Sequence, residues 1–224
     1  MEYSYQTSAE KRTVIRHLLV FVVLFFLLHV VFVLISFGNT FVRESDIIQL
    51  LVRLCTWTLP PVVYLWIKKE KALKYLCFTE NIKKGLLWGT LIGSVIFVIN
   101  AIGYYQLNHN LSMNLNLGWG LWLRGIILVG FSEELLFRGF FFNKLNEVTT
   151  FQKANLIQAT LFLLVHIPGW IMMGMFESII IIRLTGFIFF IGLLNGYFLK
   201  KTGSIWSCIM VHSLSNLASL TMGV

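Results

Sequence analysis

Long apolar runs separated by short polar stretches form the dominant pattern of the chain. About 20 apolar residues in a helix cross the hydrocarbon core of a bilayer. The pattern predicts seven membrane helices, at 14–37, 47–67, 85–105, 119–142, 154–173, 179–199 and 203–222. Pro60 and Pro61 are expected to kink the second helix, and Pro168 to distort the fifth. The predicted fold class is therefore an all-α polytopic membrane protein, with 1–224 as a single membrane domain and three N-terminal helices within 1–105.

Composition supports the bilayer as the main partner of this chain. Apolar residues make up 57% of it and charged residues 12%, against about 25% charged residues in soluble domains. A water-soluble globule of this size could not bury so much apolar surface, and a disordered chain would be far more polar. The net charge of +8 does not predict a nucleic-acid partner, because the basic residues lie between apolar runs and not on one face.

The distribution of Lys and Arg predicts the orientation in the cell membrane. Basic residues gather in the N-terminal tail and in the loops after the second, fourth and sixth helices, namely Lys11, Arg12, Arg16, Lys68, Lys69, Lys71, Lys74, Lys83, Lys84, Lys144, Lys153, Lys200 and Lys201. The opposite loops contain Arg43. A multi-pass protein with a cytoplasmic N-terminus and an extracytoplasmic C-terminus is expected. Within the helices, Arg53, Arg124 and Arg183 are expected to extend to the outer interface without a function.

A second pattern is a set of polar residues inside three of the predicted membrane helices. The fourth helix carries Glu133, Glu134 and Arg138, the fifth carries His166, and the seventh carries His212 and Asn216. Counted at 1.5 Å per residue, Glu133, His166 and His212 lie roughly 15, 18 and 14 Å from the cytoplasmic side. Ionisable groups at membrane depth are costly, and three at one level predict a functional site between helices four, five and seven.

Helical spacing predicts different partners for the two adjacent carboxylates. Glu134 can pair with Arg138 at i, i+4, whereas Glu133 points about 100° away and remains available. His212 and Asn216 are also four apart, so both can face one cavity. Phe162 precedes His166 by four residues and can pack beside the imidazole. His29 in the first helix has no partner motif and is expected to form an interhelical hydrogen bond.

These residue types suit hydrolysis by an activated water molecule. A glutamate can accept a proton from water with the help of a histidine, and a histidine with an asparagine amide can donate hydrogen bonds to an oxyanion. We therefore predict water attack on a peptide carbonyl, without a required cofactor. Zinc bound by Glu133, His166 and His212 is the alternative, although the HExxH motif typical of zinc proteases is absent.

The motifs resemble those of the CPBP family, the CaaX protease and bacteriocin-processing intramembrane proteases. The family pattern is Glu-Glu-x-x-x-Arg, Phe-x-x-x-His and His-x-x-x-Asn on three membrane helices. This chain has, in that order, Glu133, Glu134, Arg138, Phe162, His166, His212 and Asn216. The resemblance covers 119–222 and implies a catalytic core there. It implies that Glu133 and His166 activate water, that His212 and Asn216 form the oxyanion hole, and that Glu134, Arg138 and Phe162 support them.

The resemblance also suggests substrate classes. CaaX enzymes remove three residues from prenylated proteins, and bacterial relatives are linked to bacteriocin maturation, self-immunity and peptide signals. A site deep in the membrane favours a hydrophobic, lipidated or membrane-bound peptide or protein substrate. A noncatalytic bacteriocin-immunity or scaffold protein is the main alternative. A proton-coupled transporter is a further alternative, but no inverted repeat supports it. The sequence does not specify the oligomeric state.

Overall fold

The computed structural model describes residues 7–177 and 180–222, and its regular elements within these ranges are all helical. The helices are α1 (Ser8–Gly38), α2 (Thr40–Glu44), α3 (Asp46–Ile67), α4 (Ala72–Tyr75), α5 (Ile82–Asn108), α6 (118–148), α7 (Phe151–Leu164), α8 (Ile167–Met172), α9 (Ile180–Thr202) and α10 (Trp206–Met222). Residue 179, where the sixth helix was predicted to begin, lies outside the described residues. The all-α prediction is confirmed.

Five helical segments of the described chain are long and apolar enough to cross a membrane. They are Ser8–Gly38, Asp46–Ile67, Ile82–Gln106, Phe151–Met172 and Ile181–Thr202. The other two predicted membrane helices correspond to α6, which changes helical type along its length, and to α10, which has 17 residues. The polytopic membrane fold is confirmed, and the count of seven spans stays a prediction.

The exposed surface of the helices is apolar and suited to contact with lipid chains. Large apolar side chains such as Leu19, Leu27 and Val31 on α1, and Leu87 and Val95 on α5, are more than half exposed. Continuous apolar surface of this extent is unfavourable in water, and a bilayer covers it. The lipid-facing sides of α1 and α5 therefore follow directly from the apolar runs.

Proline residues distort two helices as predicted. In α3, residues Leu54–Thr58 form a π-helical turn immediately before Pro60 and Pro61. A proline removes a backbone donor and crowds the preceding turn, so the regular hydrogen-bond ladder is interrupted there. Between α7 and α8 the helix breaks at Val165 and His166, just before Pro168. That break places His166 at the start of α8.

Helix α6 lies at the centre of the bundle. Its residues from Ser132 to Leu145 are all buried. The rings of Phe137, Phe140 and Phe141 pack against Phe21 and Phe25 of α1. A phenylalanine-rich core therefore encloses the same part of α6 that carries the paired glutamates.

Close packing against α5 fixes the position of α10. Gly85, Gly89 and Gly93 follow one another at intervals of four on α5, and each lies against α10 or the turn before it. A methyl group at Gly89 would lie 2.7 Å from the carbonyl oxygen of Ser207. Small residues permit such backbone contact between membrane helices, and α10 carries His212.

Candidate active site

The glutamate pair lies on a short α-helical turn between two π-helical segments of α6. The α-helical turn is Val129–Glu134, and the π-helical segments are Leu121–Leu128 and Leu135–Phe142. Segments of π-helix inside α-helices are rare and concentrate at functional sites. They are absent from the sequence-based prediction, because no periodicity of side chains distinguishes them from ordinary α-helix.

Glu134 is the common acceptor of an arginine and a histidine. Its Oε1 accepts hydrogen bonds from Arg138 Nη1 at 2.9 Å and from His212 Nδ1 at 2.7 Å. The side chains of Glu134 and Arg138 are 0% exposed, and the guanidinium of Arg138 lies 4.1 Å from the centroid of the Phe162 ring. The predicted i, i+4 pair is confirmed. The structure adds that the same carboxylate orients His212.

Glu133 has one occupied and one open carboxylate oxygen. Its Oε1 accepts a hydrogen bond from Arg53 Nη1 at 2.9 Å. Its Oε2 is buried and has no hydrogen-bond partner in the described part of the chain. The Nε2 atom of His212 lies 3.8 Å from this open oxygen. Buried polar atoms are rarely left without a partner, so Oε2 marks a place where water or substrate would bind.

His166 and His212 both pack against one phenylalanine ring. The centroid of Phe162 is 5.1 Å from the imidazole of His166 and 5.8 Å from that of His212. The Nδ1 atom of His166 lies 2.7 Å from the carbonyl oxygen of Phe162. Because a carbonyl only accepts, Nδ1 carries the hydrogen and Nε2 keeps its lone pair. His166 is also within electrostatic reach of Glu133.

Asn216 is linked to the site through the backbone of α6. Its Nδ2 donates a hydrogen bond to the carbonyl oxygen of Gly125 at 2.9 Å, in the first π-helical segment. This bond uses one of the two hydrogens of the amide. The structure therefore brings Glu133, Glu134 and His212 into direct contact, and places Asn216 one turn further along α10.

The prediction for Arg53 is wrong, because this side chain extends inward and not to the outer interface. Its Nη1 donates to Glu133 at 2.9 Å and to Ser132 Oγ at 3.2 Å. Its guanidinium lies 4.7 Å from the centroid of the Trp57 ring. A buried carboxylate without a counter-ion is costly, and this cost outweighs the gain from snorkelling. The available signal was that Glu133, unlike Glu134, had no predicted cation.

The prediction for His29 agrees with the structure, and the interfacial positions expected for Arg124 and Arg183 stay a prediction. The Nε2 atom of His29 lies 2.9 Å from the carbonyl oxygen of Val165, which joins α1 to the break before α8. Arg124 Nε lies 3.1 Å from Asp46, whose carboxylate is half exposed at the start of α3. Arg183 is exposed on α9.

The residues of this site do not have the spacing of a metal centre. Within 7–177 and 180–222, no group of three His, Cys, Asp or Glu side chains is arranged to hold an ion. One oxygen of Glu133 is bound by a guanidinium, and the Nδ1 atoms of both histidines face oxygen atoms of the protein.

Comparison with known families matches this part of the chain. The model of the family described as Type II CAAX prenyl endopeptidase Rce1-like matches residues 114–218. Comparisons with curated proteins and with solved structures give no match.

The matched segment contains all three motifs, from Glu133 to Asn216. Over residues 114–218 the chain is similar to this family, as the resemblance predicted. This similarity supports a hydrolase, and in general a CAAX-type intramembrane protease. The substrate of such a protein is a peptide within or at the bilayer.

Proposed function

We propose that the chain is an intramembrane endopeptidase that hydrolyses peptide bonds of hydrophobic, membrane-associated or lipidated substrates. One observation carries the proposal: the open Oε2 atom of Glu133 is buried beside the Nε2 atom of His212. A buried acceptor of this kind can hold a water molecule and take a proton from it. Such a role requires a carboxylate at this position, and not merely a polar residue.

His166 is the second contact of the attacking water. Its Nδ1–H donates to the carbonyl of Phe162, so Nε2 can accept a hydrogen from the water. Glu133 takes the proton as the water oxygen attacks the peptide carbonyl, and the protonated Glu133 then donates it to the leaving amine. Two acceptors around one water fix the direction of its lone pair, which lowers the entropic cost of the attack.

His212 and Asn216 stabilise the oxyanion. His212 Nδ1 donates to Glu134, so Nε2 is a donor when the ring carries both protons. The amide of Asn216 supplies its second N–H, since the first is bound to Gly125. Donors that are already oriented stabilise developing charge without further reorganisation. Glu134, itself held by Arg138, positions His212, and the ring of Phe162 packs against both imidazoles.

The catalytic prediction concerns Glu133 and His166. We expect Glu133→Gln and His166→Ala to lower turnover by about 10²-fold to 10⁴-fold, because each removes a group that handles the proton. Peptides that accumulate in membranes of cells carrying Glu133→Gln, measured by quantitative proteomics, identify the substrate for assays with purified protein. Glu70→Gln, on an exposed residue after α3, is the matched control. Unchanged turnover in Glu133→Gln and His166→Ala would contradict the catalytic proposal. Full protection of cells against a bacteriocin by both variants would indicate a noncatalytic immunity or scaffold protein.

A separate prediction concerns metal. The proposed mechanism requires none, so activity should persist in excess chelator, and purified protein should carry no stoichiometric zinc by elemental analysis. Zinc held by Glu133, His166 and His212 would instead supply a Lewis acid for the water. Loss of activity in chelator, with recovery on adding zinc and about one ion per chain, would establish this alternative.

A further inference from the structure

A cavity lies beside Arg53, the partner of Glu133, toward the end of the bundle at which α1 ends. It has a volume of about 270 Å³ and lies between α1, α2, α3 and α6. Its apolar walls include Phe32, Phe37 and Trp57. Its lining also includes Arg43, whose side chain is 45% exposed, and the less exposed Arg53, which binds Glu133. The cavity therefore connects the surface of the protein to the arginine that binds the proposed base.

Three arginines line this cavity, and each faces a carboxylate of the chain. Arg43 lies 3.9 Å from Glu44, and Arg124 Nε lies 3.1 Å from Asp46. Both carboxylates are at least half exposed, and exposed pairs of this kind are weak. These two arginines can therefore exchange their partners at little cost, and their guanidinium groups are available to an incoming anion.

The guanidinium of Arg53 is held on one side only. Both of its hydrogen bonds to described residues use Nη1, while the face of the group lies against Trp57. A guanidinium binds a carboxylate best through two parallel N–H groups. The contact with Glu133 uses one, so a carboxylate that enters the cavity can form a better-matched pair with Arg53.

We propose that this cavity binds a carboxylate of the substrate, and that Arg53 moves from Glu133 to that carboxylate. The inference rests on the proposed function and names a recognition group for it. No covalent bond changes in this step, and no proton moves. Arg53 exchanges one carboxylate for another, and Glu133 Oε1 becomes free. A buried carboxylate that loses its counter-ion accepts a proton more readily, so Glu133 becomes the stronger base when a substrate of the matching charge is present.

The carboxylate can be the C-terminus of the substrate or an acidic side chain within it. The probe is a fluorescent octapeptide of Leu and Ala, in three forms: with a free C-terminal carboxylate, with a C-terminal amide, and with the amide plus one internal Glu. Its affinity is measured with purified protein in nanodiscs, which requires no cleavage. The form that binds more tightly than the neutral amide identifies the source.

The decisive comparison uses Glu133→Gln, which abolishes the competing carboxylate and leaves Arg53 in place. We expect this variant to bind at least one carboxylate peptide about tenfold more tightly than the wild type, since a hydrogen bond to a charged group is released for the ligand. The neutral amide should bind equally to both proteins. Arg183→Gln, an exposed arginine outside the cavity, is the matched control and should leave every affinity unchanged.

Arg53→Gln should lose the preference for carboxylate peptides over the amide. Because this change leaves Glu133 buried without its cation, the double variant Arg53→Gln/Glu133→Gln removes both charges and keeps the test valid if the single variant fails to fold. Equal binding of all three peptides by the wild type and Glu133→Gln would overturn the proposal, as would a retained carboxylate preference in the double variant. Tight carboxylate binding, together with equal cleavage of the substrate identified by proteomics by the wild type and Glu133→Gln, would instead leave the cavity established and the proteolytic function rejected.

Discussion

Glu134 shows how one carboxylate can set the charge and the geometry of a buried site. It holds Arg138 on its own helix and His212 on α10 through a single oxygen. Glu133, its neighbour in sequence, is held by Arg53 from α3. Two adjacent acids therefore have different partners because successive helical residues point in different directions. Glu134 therefore has a structural role, and Glu133 has one oxygen without a hydrogen-bond partner among the described residues.

The buried Glu134–Arg138 pair leads to a stability prediction. Glu134→Gln should lower the free energy of unfolding by about 3–5 kcal/mol, because it leaves the guanidinium of Arg138 buried without a counter-ion. The double variant Glu134→Gln/Arg138→Met should recover much of this loss, since it removes both charges and keeps the volume. Thermal and chemical unfolding in detergent measures both effects. An additive loss in the double variant would show that the pair is not energetically coupled.

Among the helices, the contact between α5 and α10 determines where His212 lies. Gly85, Gly89 and Gly93 remove side chains along one face of α5, and α10 approaches its backbone there. The sequence predicted both helices from their apolar runs. The spacing of the three glycines is visible in the sequence and is typical of close packing between membrane helices, but the helix that packs there is not. The π-helical segments of α6 and the contact of Arg53 with α6 likewise depend on neighbours distant in the chain.

A methyl group on the glycine face should disturb the site from a distance. We expect Gly89→Ala to lower the free energy of unfolding by about 1–3 kcal/mol, because its Cβ would meet backbone atoms of Ser207 that cannot move aside easily. It should also reduce turnover, since α10 must shift with His212. Gly103→Ala on the same helix has nothing within 4 Å of the added atom and is the control. Equal effects of the two changes would contradict this account of the packing.

At the scale of the whole molecule, a cluster of basic residues and the cavity near the candidate site lie toward opposite ends of the helical bundle. Lys84 at the start of α5 reaches the backbone of Lys201 at the end of α9, so these two positively charged segments lie at the same end. The cavity lined by Arg43 lies toward the other end of α1. The predicted orientation puts that cavity on the extracytoplasmic side.

Reporter fusions test this orientation. With seven spans and a cytoplasmic N-terminus, alkaline phosphatase fused after Val224 should be active, and the same enzyme fused after Glu70 should be inactive. Green fluorescent protein at these positions should show the reverse pattern. The two sites serve as controls for each other. An inactive phosphatase at both would indicate an even number of spans, and activity after Glu70 alone would indicate an inverted chain.

The local pattern of the chain was sufficient for the membrane class, the helices, the Glu134–Arg138 pair and the set of motif residues, because helical period and hydropathy act over a few neighbouring residues. The partners of Glu133 and His212 come from helices far apart in the sequence. Arg53 lies 80 positions before Glu133, and Glu134 lies 78 before His212. The packing of the helices decides which cation pairs with each buried carboxylate, because a buried charge without a counter-ion is costly.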